Sequence, residues 1–253
     1  MAENAPEDVE PMSTEAPLRH QLATCARIFA MHGLIGLFGH VSVYQPETKT
    51  IFITPGSGSD KSRFQASDMI AIRSNGKPID GKPSPPVEWP IHTALHAARA
   101  DALAVAHLHT PYATLFAIAR REFYPVTLQG TIFGEGVPLY KEGHLVTTPE
   151  RGDRLLKVMG EHRALLMRGH GIVVAGKNLA EVLFASLILE DDAKKTLQAA
   201  TLGAVQHFTP EECRGFNAEI DFARRANRAW EFFSRLEANW DRQAASGKME
   251  LFP

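Results

Sequence analysis

The segment Leu103-Ala104-Val105-Ala106-His107-Leu108-His109 constrains this chain more than any other. It reads as a strand, and side chains two apart on a strand leave the same face. His107 and His109 therefore share one face, while Ala106 and Leu108 point the other way, towards a core. Two imidazoles side by side suit a single divalent ion, since zinc and similar metals take histidine nitrogens at about 2.0–2.1 Å. Taken alone, the pair suits surface or core histidines with satisfied hydrogen bonds equally well. His170 shifts the balance: it stands between Gly169 and Gly171 at the end of another strand, where missing side chains let backbone and ligand approach closely.

Glu88 is the fourth member of the set. It opens the helix that begins near Val87, with His92 one turn later on the same face. A carboxylate beside a metal serves as ligand or as proton shuttle. Three neutral imidazoles plus a carboxylate leave a coordination position open to substrate, which marks a catalytic rather than a structural site.

The rest of the chain alternates helix and strand signals. A helix is predicted from Pro17 to His32, strands at His40–Tyr44, Thr50–Thr54 and Met69–Arg73, and a helix with its buried stripe on Ile91, Ala94, Leu95 and Ala98. After the Leu103–His109 strand come a helix over Pro111–Ala119, a strand at Val126–Leu128 and a helix from Thr148-Pro149-Glu150. Strands at Ala164–Met167 and Ile172–Ala175 follow. Asn178 with Glu181, and Thr209 with Glu212, form capping-box signatures for a long helix and a last one. Trp230, Phe232, Phe233, Trp240 and Phe252 in the C-terminal region read as core or interface packing, with a part in closing a neighbour's pocket as the other reading. The pattern points to a single domain over residues 16–253, an α/β sandwich with a mainly antiparallel sheet, after an acidic disordered arm over residues 1–15.

Composition narrows the setting. A formal net charge of -2 argues against nucleic acid or an anionic membrane as the partner. No stretch approaches the roughly 20 apolar residues that span a bilayer. Two cysteines, Cys25 and Cys213, are too few for a disulfide framework, which suits a reducing cytoplasm.

Other patterns carry less. His92 and His96 are four apart, but Thr93 stands where a metalloprotease helix carries its glutamate. Gly56-Ser57-Gly58-Ser59-Asp60-Lys61 lacks Walker spacing and reads as a loop or a loose anion-binding turn. Arg151-Gly152-Asp153 falls at a helix start and is treated as chance.

In order along the chain, these residues resemble the class II aldolase/adducin family. Gly39-His40-Val41-Ser42 is similar to its Gly-Asn-x-Ser turn, Thr54-Pro55-Gly56-Ser57 to its phosphate loop, and Glu88 before Trp89 to its catalytic glutamate. His107 and His109 match its His-x-His pair, and His170-Gly171 its late His-Gly. The resemblance spans residues 17–205. It implies an α/β/α sandwich, a homotetramer with active sites at subunit interfaces, and one divalent ion (zinc, manganese, iron or cobalt) on the three histidines with Glu88.

The departures from the family pattern point to the substrate. Pro86 and Val87 stand where sugar-phosphate aldolases and epimerases carry two phosphate-binding serines, and neither side chain donates a hydrogen bond. His40 replaces the asparagine of the first turn, and the aldolase's proton-donating tyrosine falls near Gln129. Gly-His-Val-Ser with a Pro-Pro run before the glutamate resembles the family's decarboxylases of hydroxylated aromatic acids, such as hydroxy-pyridine dicarboxylates and dihydroxyphthalates. A prenylbenzoate-forming oxygenase of antibiotic pathways is similar too. The resemblance implies a metal-dependent lyase acting on a small carboxylic acid, with Glu88 handling the proton. His40, Ser42, Thr54, Gly56 and Arg168 are the candidate substrate contacts. An aldolase on a small hydroxy-carbonyl compound is the alternative within enzymes, and a non-catalytic interaction module, as in adducin, the alternative outside them.

Overall fold

The computed structural model of the protein describes residues 15–56 and 58–245. Ser57, Phe252 and, apart from Glu15, the acidic arm expected over residues 1–15 lie outside them. Glu15 already belongs to the first helix, α1 (Glu15–Met31), where it pairs with Arg19 one turn on at 2.7 Å. The hairpin β1 (His40–Gln45) and β2 (Thr50–Ile53) and the strand β3 (Ile70–Ile72) follow. Next come α2 (Trp89–Ala98), β4 (Ala104–Leu108) and α3 (Ala113–Ile118). The chain continues through β5 (Leu139–Tyr140), α4 (Pro149–Met159), β6 (Ala164–Met167), β7 (Gly171–Gly176) and α5 (Leu179–Ala199). Two helices, α6 (Pro210–Glu219) and α7 (Phe222–Ala245), complete the described residues.

Seven strands form one sheet in the order β3-β2-β1-β4-β7-β6-β5, antiparallel except for the β5–β6 pair. The sheet is thus mainly antiparallel, as its hairpin signals suggest. Period-2 alternation separates two cores. Ala104, Ala106 and Leu108 of β4 join Val41, Ile172 and Val174 under α1, α3 and α5. Val105 of β4 joins Leu165 and Val173 on the opposite face, under Ile91 and Leu95 of α2 and Leu155 and Met159 of α4. The layers are α/β/α. His107 lies on the α2 face, where it is fully buried.

The strand expected at Val126–Leu128 does not form. Its β-branched residues suggest a ladder, but the Val126 N–H is taken by the Asp192 carboxylate of α5 at 3.1 Å. Thr127 then accepts from Gly130 N–H at 3.1 Å and starts a turn. The missed strand is β5, only two residues long, too short for any periodicity to announce. Thr209 and Glu212 make a full capping box, as predicted, but the helix they start ends at Glu219 and α7 follows as a separate element. At α5 half of the expected box forms: Asn178 accepts from Glu181 N–H, while the Glu181 carboxylate turns back to Lys177 N–H.

Trp230 and Phe233 of α7 pack against the core beneath α1 and α5, in the packing role read from sequence. A buried ion pair fixes this helix. Arg27 Nε of α1 donates to Glu237 Oε1 at 2.6 Å, with the side chains 9% and 7% exposed. Arg27 also donates to Phe64 O and to Thr24 Oγ1, so its hydrogen-bond geometry is well satisfied. No helix among the described residues is long and apolar enough to cross a membrane. Removing one partner of a buried pair costs about 3–5 kcal/mol because the other charge stays buried. Glu237→Leu should therefore lower the urea midpoint markedly, and the double variant with Arg27→Met should recover most of the loss. An unchanged midpoint in the single variant would show that α7 does not dock through this pair.

Candidate metal centre

Each histidine reaches the same point from a different backbone device. His107 is carried by the α2 face of β4, and His109 follows two residues on, just beyond the strand's end. His170 sits in the turn between β6 and β7, its N–H bonded to Met167 O at 3.1 Å. Gly169 takes the left-handed φ of +63° that this turn needs. Gly171 permits the close approach: a Cβ there would stand 2.2 Å from Leu108 O, the carbonyl between the two strand histidines.

The three rings form a nearly equilateral triangle, with centroids 4.9 Å apart for His107–His109, 4.7 Å for His107–His170 and 4.8 Å for His109–His170. One nitrogen of each lies within 4.8 Å of the others. Glu88 sits at the N-cap position of α2, one residue before the helix itself begins at Trp89. Its Oε1 accepts from Val146 N–H at 2.9 Å, which aims Oε2 at His107 Nε2 (3.5 Å) and His170 Nε2 (3.4 Å). Burial pushes the Glu88 carboxyl up, but hydrogen bonds and charge from His107 and His170 outweigh this and hold it well below the usual range.

The donor set fits one divalent ion. His107 Nδ1 donates to Ile172 O at 3.0 Å, which fixes the tautomer and leaves Nε2 as a lone-pair donor. Burial, followed by the neighbouring His107 and His170, pushes His109 down to about 3, so its ring is neutral as a ligand must be. Two ligand atoms at tetrahedral positions on zinc are about 3.3 Å apart. The His109–His107 Nε2 distance is 3.2 Å, and the Glu88 Oε2 distances, 3.5 and 3.4 Å, lie just above that value.

Glu88, His109 and His170 open on a cavity of about 1030 Å³ whose wall also includes His40, Gly56 and Lys82, with His107 fully buried behind them. Pro86 and Val87 also line it, so the positions without donor side chains face the space in which a ligand would lie. Of the candidate substrate contacts, His40 and Gly56 are on the wall. Ser42 and Thr54 are fully buried and absent from it. Thr54 Oγ1 accepts from Val41 N–H at 3.0 Å, a bond that ties β2 to β1. Ser42 is held between two histidines of α2. Arg168 is exposed and points away from the wall, against the loop at Gly143. Gln129 is exposed and does not line the cavity either.

Sequence reasoning passed over Lys82 and the true setting of His92 and His96. Lys82 lies in a loop without a motif, so no local pattern marks it. His92 and His96 carried a signal: a polar i, i+4 pair on a helix that must cover a polar i, i+2 pair, His40 and Ser42, on a strand.

A model of the class II aldolase and adducin N-terminal domain matches residues 20–197 of this chain. The protein belongs to that family. The 3,4-dihydroxyphthalate decarboxylase of Arthrobacter keyseri is 27% identical over 240 residues, 90% of this chain and 97% of that protein. Decarboxylase NovR of Streptomyces niveus is 27% identical over 204 residues, 79% of this chain and 76% of its own. Among solved structures, an L-fuculose 1-phosphate aldolase superposes with a TM-score of 0.72 at 27% identity, covering 80% of this chain and 95% of that one. An aldolase II superfamily protein from Pseudomonas syringae shares the fold at a TM-score of 0.77 and 20% identity, over 89% of this chain and 95% of its own.

His107→Ala and His109→Ala should each cut the affinity for zinc or manganese by more than the roughly 10–100-fold that loss of an outer ligand partner costs. Metal analysis after dialysis reads this directly; wild-type metal content in either folded variant would contradict the assignment.

Proposed function

We propose that this protein is a metal-dependent carbon–carbon lyase that decarboxylates a hydroxylated aromatic or pyridine mono- or dicarboxylic acid. The observation that carries this reading is a cluster of three converging imidazoles beside Glu88, opening through His109, His170 and Glu88 on a cavity that Pro86 and Val87, which cannot hold a phosphate through their side chains, also line. Similarity to the dihydroxyphthalate decarboxylase over nine-tenths of the chain supports it.

Lewis-acid stabilisation of the charge that develops as the carboxyl group leaves is the chemistry a divalent ion on His107, His109 and His170 supplies. The chain's own groups do the rest. Glu88, ionised at rest, takes the proton of the substrate hydroxyl at Oε2, the oxygen its bond to Val146 leaves free. The bond from ring carbon to carboxyl carbon breaks, its electron pair stays on the ring, and carbon dioxide departs. Glu88 then returns the proton to the ring carbon, and the product leaves as a phenolate that takes its hydroxyl proton from solvent. Lys82 is the one lysine or arginine among the described residues of the cavity wall; its ammonium, already held by Ser67 O, faces a second carboxylate of a diacid.

The cavity rim carries exposed apolar side chains: Val87 at 67%, Phe38 at 54% and Leu145 at 49%. Such a patch marks a surface that a partner covers, and the homotetramer implied by the family, its sites closed at subunit interfaces, supplies one. A cytoplasmic location goes with the two free, buried thiols of Cys25 and Cys213.

An aldolase acting on a small hydroxy-carbonyl compound is the second reading, favoured by the likeness to the fuculose phosphate aldolase. The products separate the two. The metal-loaded enzyme should release carbon dioxide from hydroxyaryl or hydroxypyridine carboxylates, and Glu88→Gln should lose about 10²–10⁴-fold of that rate, the contribution of a positioned acid–base group. Efficient aldehyde release from a sugar phosphate, with hydroxyaryl acids untouched, would overturn the proposal.

A further inference from the structure

Behind His40 a chain of hydrogen bonds runs through the interior and ends at a backbone carbonyl. His40 Nδ1 lies 2.6 Å from His92 Nε2, and His92 Nδ1 lies 2.6 Å from Ser42 Oγ. Ser42 Oγ lies 2.8 Å from His96 Nε2, and His96 Nδ1 lies 2.5 Å from Ala102 O. All four side chains are buried, His92 and Ser42 completely. The arrangement follows from two periodicities. His40 and Ser42 leave the same face of β1, and the i, i+4 pair of α2 lies directly above them.

The direction of every bond in this chain is determined. A carbonyl only accepts, so His96 Nδ1 carries a hydrogen. Neutral His96 then presents a bare Nε2, which takes the single hydroxyl hydrogen of Ser42. Ser42 has no second hydrogen, so His92 Nδ1 donates to it, and the bare Nε2 of His92 accepts from His40 Nδ1. The reverse polarity can be written out as well. His92 would donate to His40 and accept from Ser42, and His96 would have to donate at both nitrogens. That makes His96 a buried cation without a counter-charge, a costly state. Burial instead pushes His96 down to about 4, despite the carbonyl that favours its charged form.

We infer that Ser42, His92 and His96 are positioning residues that lock His40 in the tautomer with a bare Nε2, making it an obligate hydrogen-bond acceptor at the cavity wall. Resting on the functional reading above, this names a feature of the substrate: a second O–H or N–H donor beside the hydroxy-acid unit. His40 stands on the side of His107 that His92 also occupies, with ring centroids 5.0 Å and 4.8 Å away. With Glu88 and His107 it forms a second close group beside the three-histidine one, so the donor it selects lies on the Glu88 side of the site. An ether or a further carboxylate at that position meets a lone pair and is refused.

A neutron structure of the metal-loaded full chain, exchanged into heavy water, tests the lock without reference to any substrate. Deuterium is expected on Nδ1 of His40, His92 and His96 and on Ser42 Oγ towards His96, with none on His40 Nε2. Deuterium on His40 Nε2 or His92 Nε2 would overturn the inference. The second measurement is binding of 2,3-dihydroxybenzoate against 2-hydroxy-3-methoxybenzoate, in which a methyl group replaces that donor hydrogen; a purely steric preference would survive in Ser42→Ala. The wild-type protein should prefer the first by roughly tenfold, about what one good hydrogen bond confers. Ser42→Ala, with unchanged metal content, should lose that preference. Equal affinities in the wild type, or a preference kept in a folded Ser42→Ala, would overturn it. Failure of both acids to bind would count against the hydroxy-acid reading, and the deuterium positions would still decide the lock.

Discussion

The antiparallel pairing of β1 with β4 is the constraint on which the site depends. Its register sets His40 opposite His107 and Ser42 opposite Val105, so the polar residues of both strands emerge together on the α2 face. On the other side of β4, the pairing with β7 sets His107 opposite Val173 and brings Gly171 to the end of the same ladder. A slip of one residue in either pair would turn His107 into the apolar core beneath α1 and α5 and bring Ala106 out in its place. Apolar burial on the opposite face, through Ala104, Ala106 and Leu108, therefore holds the register that the histidines need.

The α2 helix supplies both halves of the polar network from one short element. Its N-cap residue Glu88 faces the three imidazoles, and one and two turns later His92 and His96 sit over β1. Ile91 and Leu95 meanwhile pack against Val105 and Val173. A single helix position thus fixes the carboxylate relative to the three candidate metal ligands and the tautomer inferred for His40. This coupling accounts for a largely buried polar cluster of this size, since Ser42, His92 and His96 all find partners.

What could be read from the sequence was what local periodicity encodes. The alternation at Leu103–His109 gave the strand, the shared face of the two histidines and the side of the core, and the glycines around His170 marked a close approach. The hairpin signals interleaved with helices carried the sheet type. Elements defined by tertiary contact were not legible. Val126–Leu128 has strand composition, but its backbone is claimed by Asp192, more than sixty residues away. The two-residue β5 exists because β6 lies beside it. Ser42 and Thr54 read as candidate substrate contacts, and a small hydroxyl residue carries no mark of burial; the structure puts both behind the wall, bonded to His92, His96 and Val41.

The central claim is that His107, His109 and His170 close on one ion with Glu88 beside them. The most direct measurement is anomalous diffraction from crystals grown with one equivalent of zinc or manganese. A single peak within about 2.0–2.2 Å of an Nε2 atom from each of the three histidines is the expected result. A stoichiometric peak elsewhere, or one that touches fewer than three of these imidazoles, would contradict it.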